Sequence, residues 1–456
     1  MTQCRILAES LNTGCICQSL DRAALRSALD HEAPDFWDTV IAPRPHMFSD
    51  VTVFVGAHDL ARMATVIAAI EQVTALPAYR QHIGIANSAF PEPKVHSVFF
   101  GYDFHMGANG PQLIEINTNA GGGLLNAILA HAQRSCCPAA EASKVVLPGE
   151  LARHDPAEMF IAMFRNEWRL ERGDAPLRTI AIVDDDPASQ YLQPEFELFR
   201  RLFERHGLQA LICDPRELML CHGGLWLSCD HGETRVDLVY NRLTDFDLTE
   251  NAHAVLREAI LRGVAVVTPH PYAHALYADK RNLCALTDAS LLEGWGVAAE
   301  TRALLLSAIP RTELVTPERA DDFWARRKQL FFKPATGYAS KAAYRGDKIT
   351  KRVFDEVLQG AKETRRAAPS VSLPPGGGTS QSGVFGGGSY VAQALAPPSL
   401  RKVEVAGEMT ELKVDLRNFV YSGAVQLVSA RLWQGQTANL RTPGGGFAPV
   451  LGVSAS

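Results

Sequence analysis

No stretch of this 456-residue chain holds 18 or more uninterrupted apolar residues, so no membrane-spanning helix and no membrane partner are expected. The start, Met1 to Leu7, lacks a long apolar segment of the secretory kind, and a cytoplasmic location is the resulting expectation. Basic runs long enough to track a phosphate backbone are also missing. The formal net charge is -5 and the pI is near 6.3, which argues against nucleic acid as a partner. Cysteines show no framework spacing, and nine of them is an odd count that suits reduced thiols. Neither Cys15-x-Cys17 nor Cys136-Cys137 has a second Cys/His pair at zinc-finger spacing, so both read as ordinary thiols. With 46% hydrophobic and 21% charged residues the composition is that of a globular protein, and the length suggests about three domains or lobes.

What is present begins with Gln112 to Asn119, QLIEINTN, followed by Gly121 to Gly123. Glu115 and Asn117 occupy alternate positions of an apolar run and so face one side of a strand. A carboxylate and an amide oxygen there suit Mg²⁺, which takes one or two protein ligands and completes its shell with phosphate oxygens and water. The same alternation fits a half-buried strand with two solvent-facing polar residues. Upstream, Val95 to Asp103 is suited to a buried strand and Gly107 to Gly110 to a turn. The hairpin would bring Asp103 to Glu115 and Asn117. Residues 50 to 80, with Val55, Leu60, Met63, Val66 and Ile67 apolar, read as a helix.

From Arg178 the pattern alternates. Thr179 to Val183, Gln209 to Cys213, Val236 to Tyr240 and Val264 to Val267 read as strands, and Glu195 to His206 and Ala252 to Arg262 as helices. That is the signature of a parallel α/β sheet, whose ligands bind beyond the carboxyl ends of the strands. Asp184-Asp185-Asp186 and Asn241-Arg242 fall there. The triple Asp suits either a cation or ordinary helix capping and solvation.

After Ala278 come short strands, glycines and basic residues. Phe331 to Ser340, FFKPATGYAS, sets Lys333 at a strand end before a small-residue turn, where an ammonium can meet a phosphate. It is not a Walker A loop, and alone it fits a snorkelling strand lysine equally. Lys280 opens a helix just upstream. Tyr390 to Leu395, with Gln393, reads as an edge strand able to bond a purine through its backbone. Lys413 to Arg417 and Val428 to Leu432, with Arg431, read as strands of one antiparallel sheet, and Asn439 to Phe447 as a glycine-rich tail. Ala367 to Ser389 is rich in Pro, Gly and Ser and reads as a flexible insertion beyond a helix at Val353 to Gln359.

Taken in this order, the motifs resemble the ATP-grasp superfamily, and within it the circularly permuted branch of eukaryotic-type glutathione synthetases. There the strand with the metal ligands lies near the N-terminus, and its motif is similar to Gln112 to Thr118. The resemblance spans most of residues 95 to 456. It implies an α/β ATP-grasp fold, circularly permuted, with an inserted parallel α/β substrate-binding domain of the pre-ATP-grasp kind. The expected division is a mostly helical 1–94, a metal-binding hairpin segment 95–177, the substrate domain 178–277 and a nucleotide-binding and lid region 278–456. The resemblance further implies ATP and Mg²⁺ as cofactors. Glu115 and Asn117 would hold the metal, and Lys280, Lys333, Gly337, Ser340 and Gln393 would meet ATP. Arg242 and Arg431 would face the acidic substrate under a closing loop that contains Gly445 and Gly446.

The sequence departs from that branch in two places. Gly101 stands where those synthetases carry an arginine two residues before the hairpin acid, and Gly337 where they place a glutamate metal ligand. Asp103 is therefore the expected third metal ligand, as in the unpermuted bacterial enzymes, and γ-glutamylcysteine is not implied as substrate. The activity expected is ATP-dependent ligation of a small carboxylate to an amine through an acyl phosphate. A small-molecule kinase or a non-catalytic nucleotide-binding protein on the same fold are the alternatives. Homodimerisation is left open.

Overall fold

The computed structural model describes residues 2–15, 19–32, 34–132, 144–146, 148–229, 232–336, 342–367 and 389–454. Cys17, Cys136, Cys137 and nearly all of the 367–389 segment lie outside them.

A mixed sheet forms the centre. Its strands run in the order Val53–Gly56, Gly446–Ser454, Ala424–Trp433, Glu408–Tyr421, Phe100–Gly107 and Gly110–Asn117. Ser399–Val405 also pairs with Glu408–Tyr421, and Lys144–Val146 with Gly446–Ser454. The early hairpin 100–117 thus completes a sheet built mainly from the last 60 residues. Region 50 to 80 is not one helix: Val53–Gly56 is a fully buried strand parallel to Gly446–Ser454, and the helix is Ala57–Thr74. A short apolar run beside a helix carries no periodicity that separates the two. The first hairpin strand starts at Phe100 rather than Val95, because Ser97 and Phe99 are left-handed. The N–H groups of His96 and Ser97 bond the Glu167 carboxylate and that of Val98 the Thr268 hydroxyl, in place of a strand partner.

The parallel sheet is present, in the order Val266–Thr268, Leu238–Asn241, Thr179–Val183, Gln209–Cys213. Its second strand lies two residues later than expected. The preceding Gly232–Val236 belongs instead to an antiparallel meander with Leu218–Cys221 and Gly224–Cys229, which the sequence reading missed. Helix Gln193–Arg205 and the Asp155-capped helix Pro156–Arg172 cover this unit. Phe164 packs edge to face on Phe199, Phe203 and Tyr240, Phe199 does so on Tyr240, and Phe160 lies tilted against Phe199. Each buried ring contributes about 1.5–3 kcal/mol to holding it against Phe99 and the central sheet.

A third sheet has the order Thr312–Leu314, Tyr390–Ala394, Leu330–Pro334, Tyr344–Arg345. Tyr390–Ala394, expected at an edge, lies inside, bonded on both sides. Helix Lys351–Ala367 packs over it through Phe354 and Val357.

Candidate functional site

Between the central and third sheets opens a cleft lined by Phe331, Pro334, Ala343, Leu395 and Ala396 together with a set of charged groups. Hairpin geometry sets the charged groups. Asp103 lies directly opposite Glu115 and Gly101 opposite Asn117, with an irregular register just beyond Asp103. All three predicted oxygen ligands line the cleft, and the Asn117 amide nitrogen donates to Asp103 at 3.1 Å. On the neighbouring strands Arg417 faces Asp103 and Arg431 faces Asp415. Arg417 makes a two-pronged contact to Asp103, 2.7 Å from Nε and 2.6 Å from Nη2. Arg431 Nη2 bridges Asp103 at 3.0 Å and Asp415 at 3.2 Å, while its Nε has no partner among the described residues. Burial alone would raise the Asp415 carboxyl, but the His105 hydrogen bond at 2.7 Å and the Arg431 charge hold it below its ordinary value.

Two lysines enter from the third sheet and its approach. Lys333 Nζ stands 2.9 Å from both the Ile114 carbonyl and the Gln393 Oε1. Burial lowers its ammonium to about 8; Glu115 resists the shift and Lys280 adds to it. Lys280 Nζ is 4.0 Å from Glu115, and the Lys280 N–H bonds the Ala335 carbonyl at the end of the lysine strand. Gln393 orients Lys333 and is itself tied to the Thr312 hydroxyl at 3.2 Å. Four fixed cations (Lys280, Lys333, Arg417, Arg431) thus face three carboxylates (Asp103, Glu115, Asp415) in one cleft. The excess of positive charge suits a polyanion.

Other predicted residues lie elsewhere. Arg242, buried at the end of Leu238–Asn241, bonds the Asn119 side chain and, at 3.4 Å, the Tyr240 hydroxyl. It is not among the residues that line the cleft. Gly445 and Gly446 do not line it either. Gly446 has φ +107°, and a Cβ there would stand 2.4 Å from the His46 carbonyl. These glycines admit close backbone packing at the start of the last strand, and Gln436 to Ala438 of the same loop reach the cleft instead. Gly337 and Ser340 lie outside the described residues. The triple Asp closes loops: Asp185 and Asp245 hold the buried His253 between them at 2.9 and 2.8 Å. Arg417, Asp415 and His105 were missed as site residues, although the alternation of Asp415 and Arg417 on one strand face was available as a signal.

No family model matches the sequence, and no curated protein does. Among solved structures, the chain is similar to a glutathione synthetase-like effector from Globodera pallida, with TM-score 0.54 and 12% identity over 96% of this chain and 98% of that one. Also found were a protein assigned as a gamma-glutamylcysteine synthetase from Methylobacillus flagellatus (TM-score 0.41, 10% identity, 84% of each chain) and the D-cycloserine synthetase DcsG (TM-score 0.30, 17% identity, 57% of this chain and 75% of that one). The fold is mixed α/β, of the glutathione synthetase-like ATP-grasp type.

Proposed function

We propose that the protein is an ATP- and Mg²⁺-dependent carboxylate–amine ligase. The observation that carries this reading is the single cleft in which Lys280, Lys333, Arg417 and Arg431 converge on Glu115 and Asn117. The apolar lining, with Phe331 and Leu395, suits a base, and the lysines suit the phosphates of ATP. Glu115 and the Asn117 amide oxygen form a hard-oxygen pair on one strand face that fits Mg²⁺. Asp103 is already engaged by two guanidinium groups, which favours a two-residue protein contribution to the metal. When bound, Mg²⁺ would offset charge on the transferring phosphoryl group.

In this reading an oxygen of the substrate carboxylate attacks the γ-phosphorus, and the bond to ADP breaks. Lys333 and Lys280 hold the phosphates in line. The amine then adds to the acyl carbon, phosphate leaves, and the amine proton passes to solvent. Arg431 would act on the acyl side, where its guanidinium, which lines the cleft, can donate to the acyl phosphate. Completion of the late-chain sheet by the early hairpin is the arrangement a circular permutation would give, and supports that part of the reading.

The test is ADP release by the purified protein, screened against pools of amino acids, dipeptides and polyamines, with Glu115→Ala as the control. ADP formation that requires both an acid and an amine supports ligation. Formation with the acid or an alcohol alone, at full rate, would make the protein a kinase, and none in any pool would leave it a binding protein.

A further inference from the structure

The antiparallel meander carries a cluster that the cleft does not use. Cys221 and Gly224 close a two-residue turn in which His222 and Gly223 have φ of +46° and +68°, the left-handed pair that suits a tight hairpin. Glu233 belongs to the third strand of the same meander. The Cys221 sulfur, a ring nitrogen of His222 and a carboxylate oxygen of Glu233 all lie within 4.8 Å of one another. His222 packs edge to face on Trp226, with ring centroids 6.1 Å apart, which limits the directions its imidazole can take.

We infer that Cys221, His222 and Glu233 form a Zn²⁺ site that staples the hairpin turn to the third strand. Zn²⁺ bonds thiolate at about 2.3 Å and nitrogen or oxygen at about 2.0–2.2 Å, so the ligand atoms need to draw in by roughly 1 Å from their outer limit. His222 and Glu233 are exposed and Cys221 is half-buried, which leaves side chains free to adjust and a fourth position open to water. A sulfur ligand selects Zn²⁺ over the hard cations that suit Glu115 and Asn117. A divalent ion seated among the three groups would be held by the charge of the carboxylate and of the thiolate that forms on binding. Zn²⁺ takes the thiolate form of cysteine, so binding releases a proton and strengthens as pH rises.

The full chain, stripped with chelator, is titrated with Zn²⁺ against a chromophoric competitor and separately with Co²⁺. Cys221→Ser, His222→Asn and Glu233→Gln are run beside it. One equivalent of Zn²⁺, a thiolate-to-cobalt charge-transfer band lost in Cys221→Ser, affinity lower by about ten-fold or more in the Ser and Asn variants, and a zinc-dependent rise in Tm confined to the wild type are the expected results. Zn²⁺ affinity equal in wild type and Cys221→Ser, or no stoichiometric binding at micromolar metal, would overturn the site. Glu233→Gln keeps the side-chain shape, so it reads the site even if the turn variants misfold.

Discussion

Arg417 closes both oxygens of Asp103 across neighbouring strands, at 2.7 and 2.6 Å, and Arg431 adds a third contact at 3.0 Å. Both partners of the two-pronged pair are buried. A carboxylate so engaged acts as a bridge between strands from opposite ends of the chain, and it fixes where the two guanidinium groups stand.

Removing one partner should therefore cost more than removing both. Arg417→Met leaves the Asp103 charge with the Arg431 contact and the Asn117 amide and is expected to lose about 3–5 kcal/mol of stability. Asp103→Asn with Arg417→Met should recover a large part of that. Urea unfolding of the two singles and the double closes the cycle. Additive losses would show that the pair is not energetically coupled. Asp103→Asn, where it folds, should keep the Mg²⁺ dependence of ATP binding, whereas Glu115→Ala should lose it.

Lys333 gives the cleft a pH dependence. Its ammonium is lowered to about 8 from an ordinary 10.5, so between those values the unfolded chain holds a proton that the folded chain has released. Stability from this group accordingly rises with pH across that window, while affinity for ATP falls as the positive charge is lost. Calorimetric ATP titrations on both sides of pH 8 should show the fall in wild type. Lys333→Arg, which stays charged throughout, should flatten it; an unchanged slope in that variant would assign the titration to another group.

Gly446→Ala separates backbone packing from a role over the nucleotide. The added methyl would press on the His46 and Met47 carbonyls at 2.4 and 2.7 Å, on a backbone with positive φ. A loss of about 1–3 kcal/mol or more is expected, with ATP affinity unchanged in the folded fraction. Thermal unfolding with and without ATP distinguishes this from a lid role, which would lower affinity at unchanged stability.

Legibility followed the range of the contacts. Thr179–Val183 and Gln209–Cys213 were readable as strands because a parallel sheet buried on both faces needs continuous apolar runs. Val53–Gly56 was not, since four buried residues ahead of a helix carry no period of their own. Asp103, Glu115 and Asn117 could be gathered from strand alternation and a tight turn alone. The Arg417 partner of Asp103 lies 314 residues away, and pairing of Phe100–Gly107 with Glu408–Tyr421 leaves no local trace. For the same reason the bond that Gln393, expected to face the nucleotide, accepts from Lys333 was not legible, although Gln393 does line the cleft.

Arg431 and Lys333 line one cleft from different sheets, and their variants should fail differently. Lys333 contacts the Ile114 carbonyl and Gln393 close to Lys280 and Glu115, so Lys333→Ala should weaken ATP itself. Arg431 is anchored through Nη2 to Asp103 and Asp415, and its buried Nε has no partner among the described residues. Arg431→Lys retains a charge but loses the planar fork, so it cannot hold both carboxylates and still present a donor to the acyl group. It should leave ATP affinity within about two-fold and lower acid-dependent ADP formation by about 10²-fold or more, in the range found when a single oxyanion donor is removed. Nucleotide titration and steady-state kinetics of both variants, once a substrate pair is found, provide the comparison. Equal loss of ATP affinity in the two would place Arg431 on the phosphates and remove it from the acyl side.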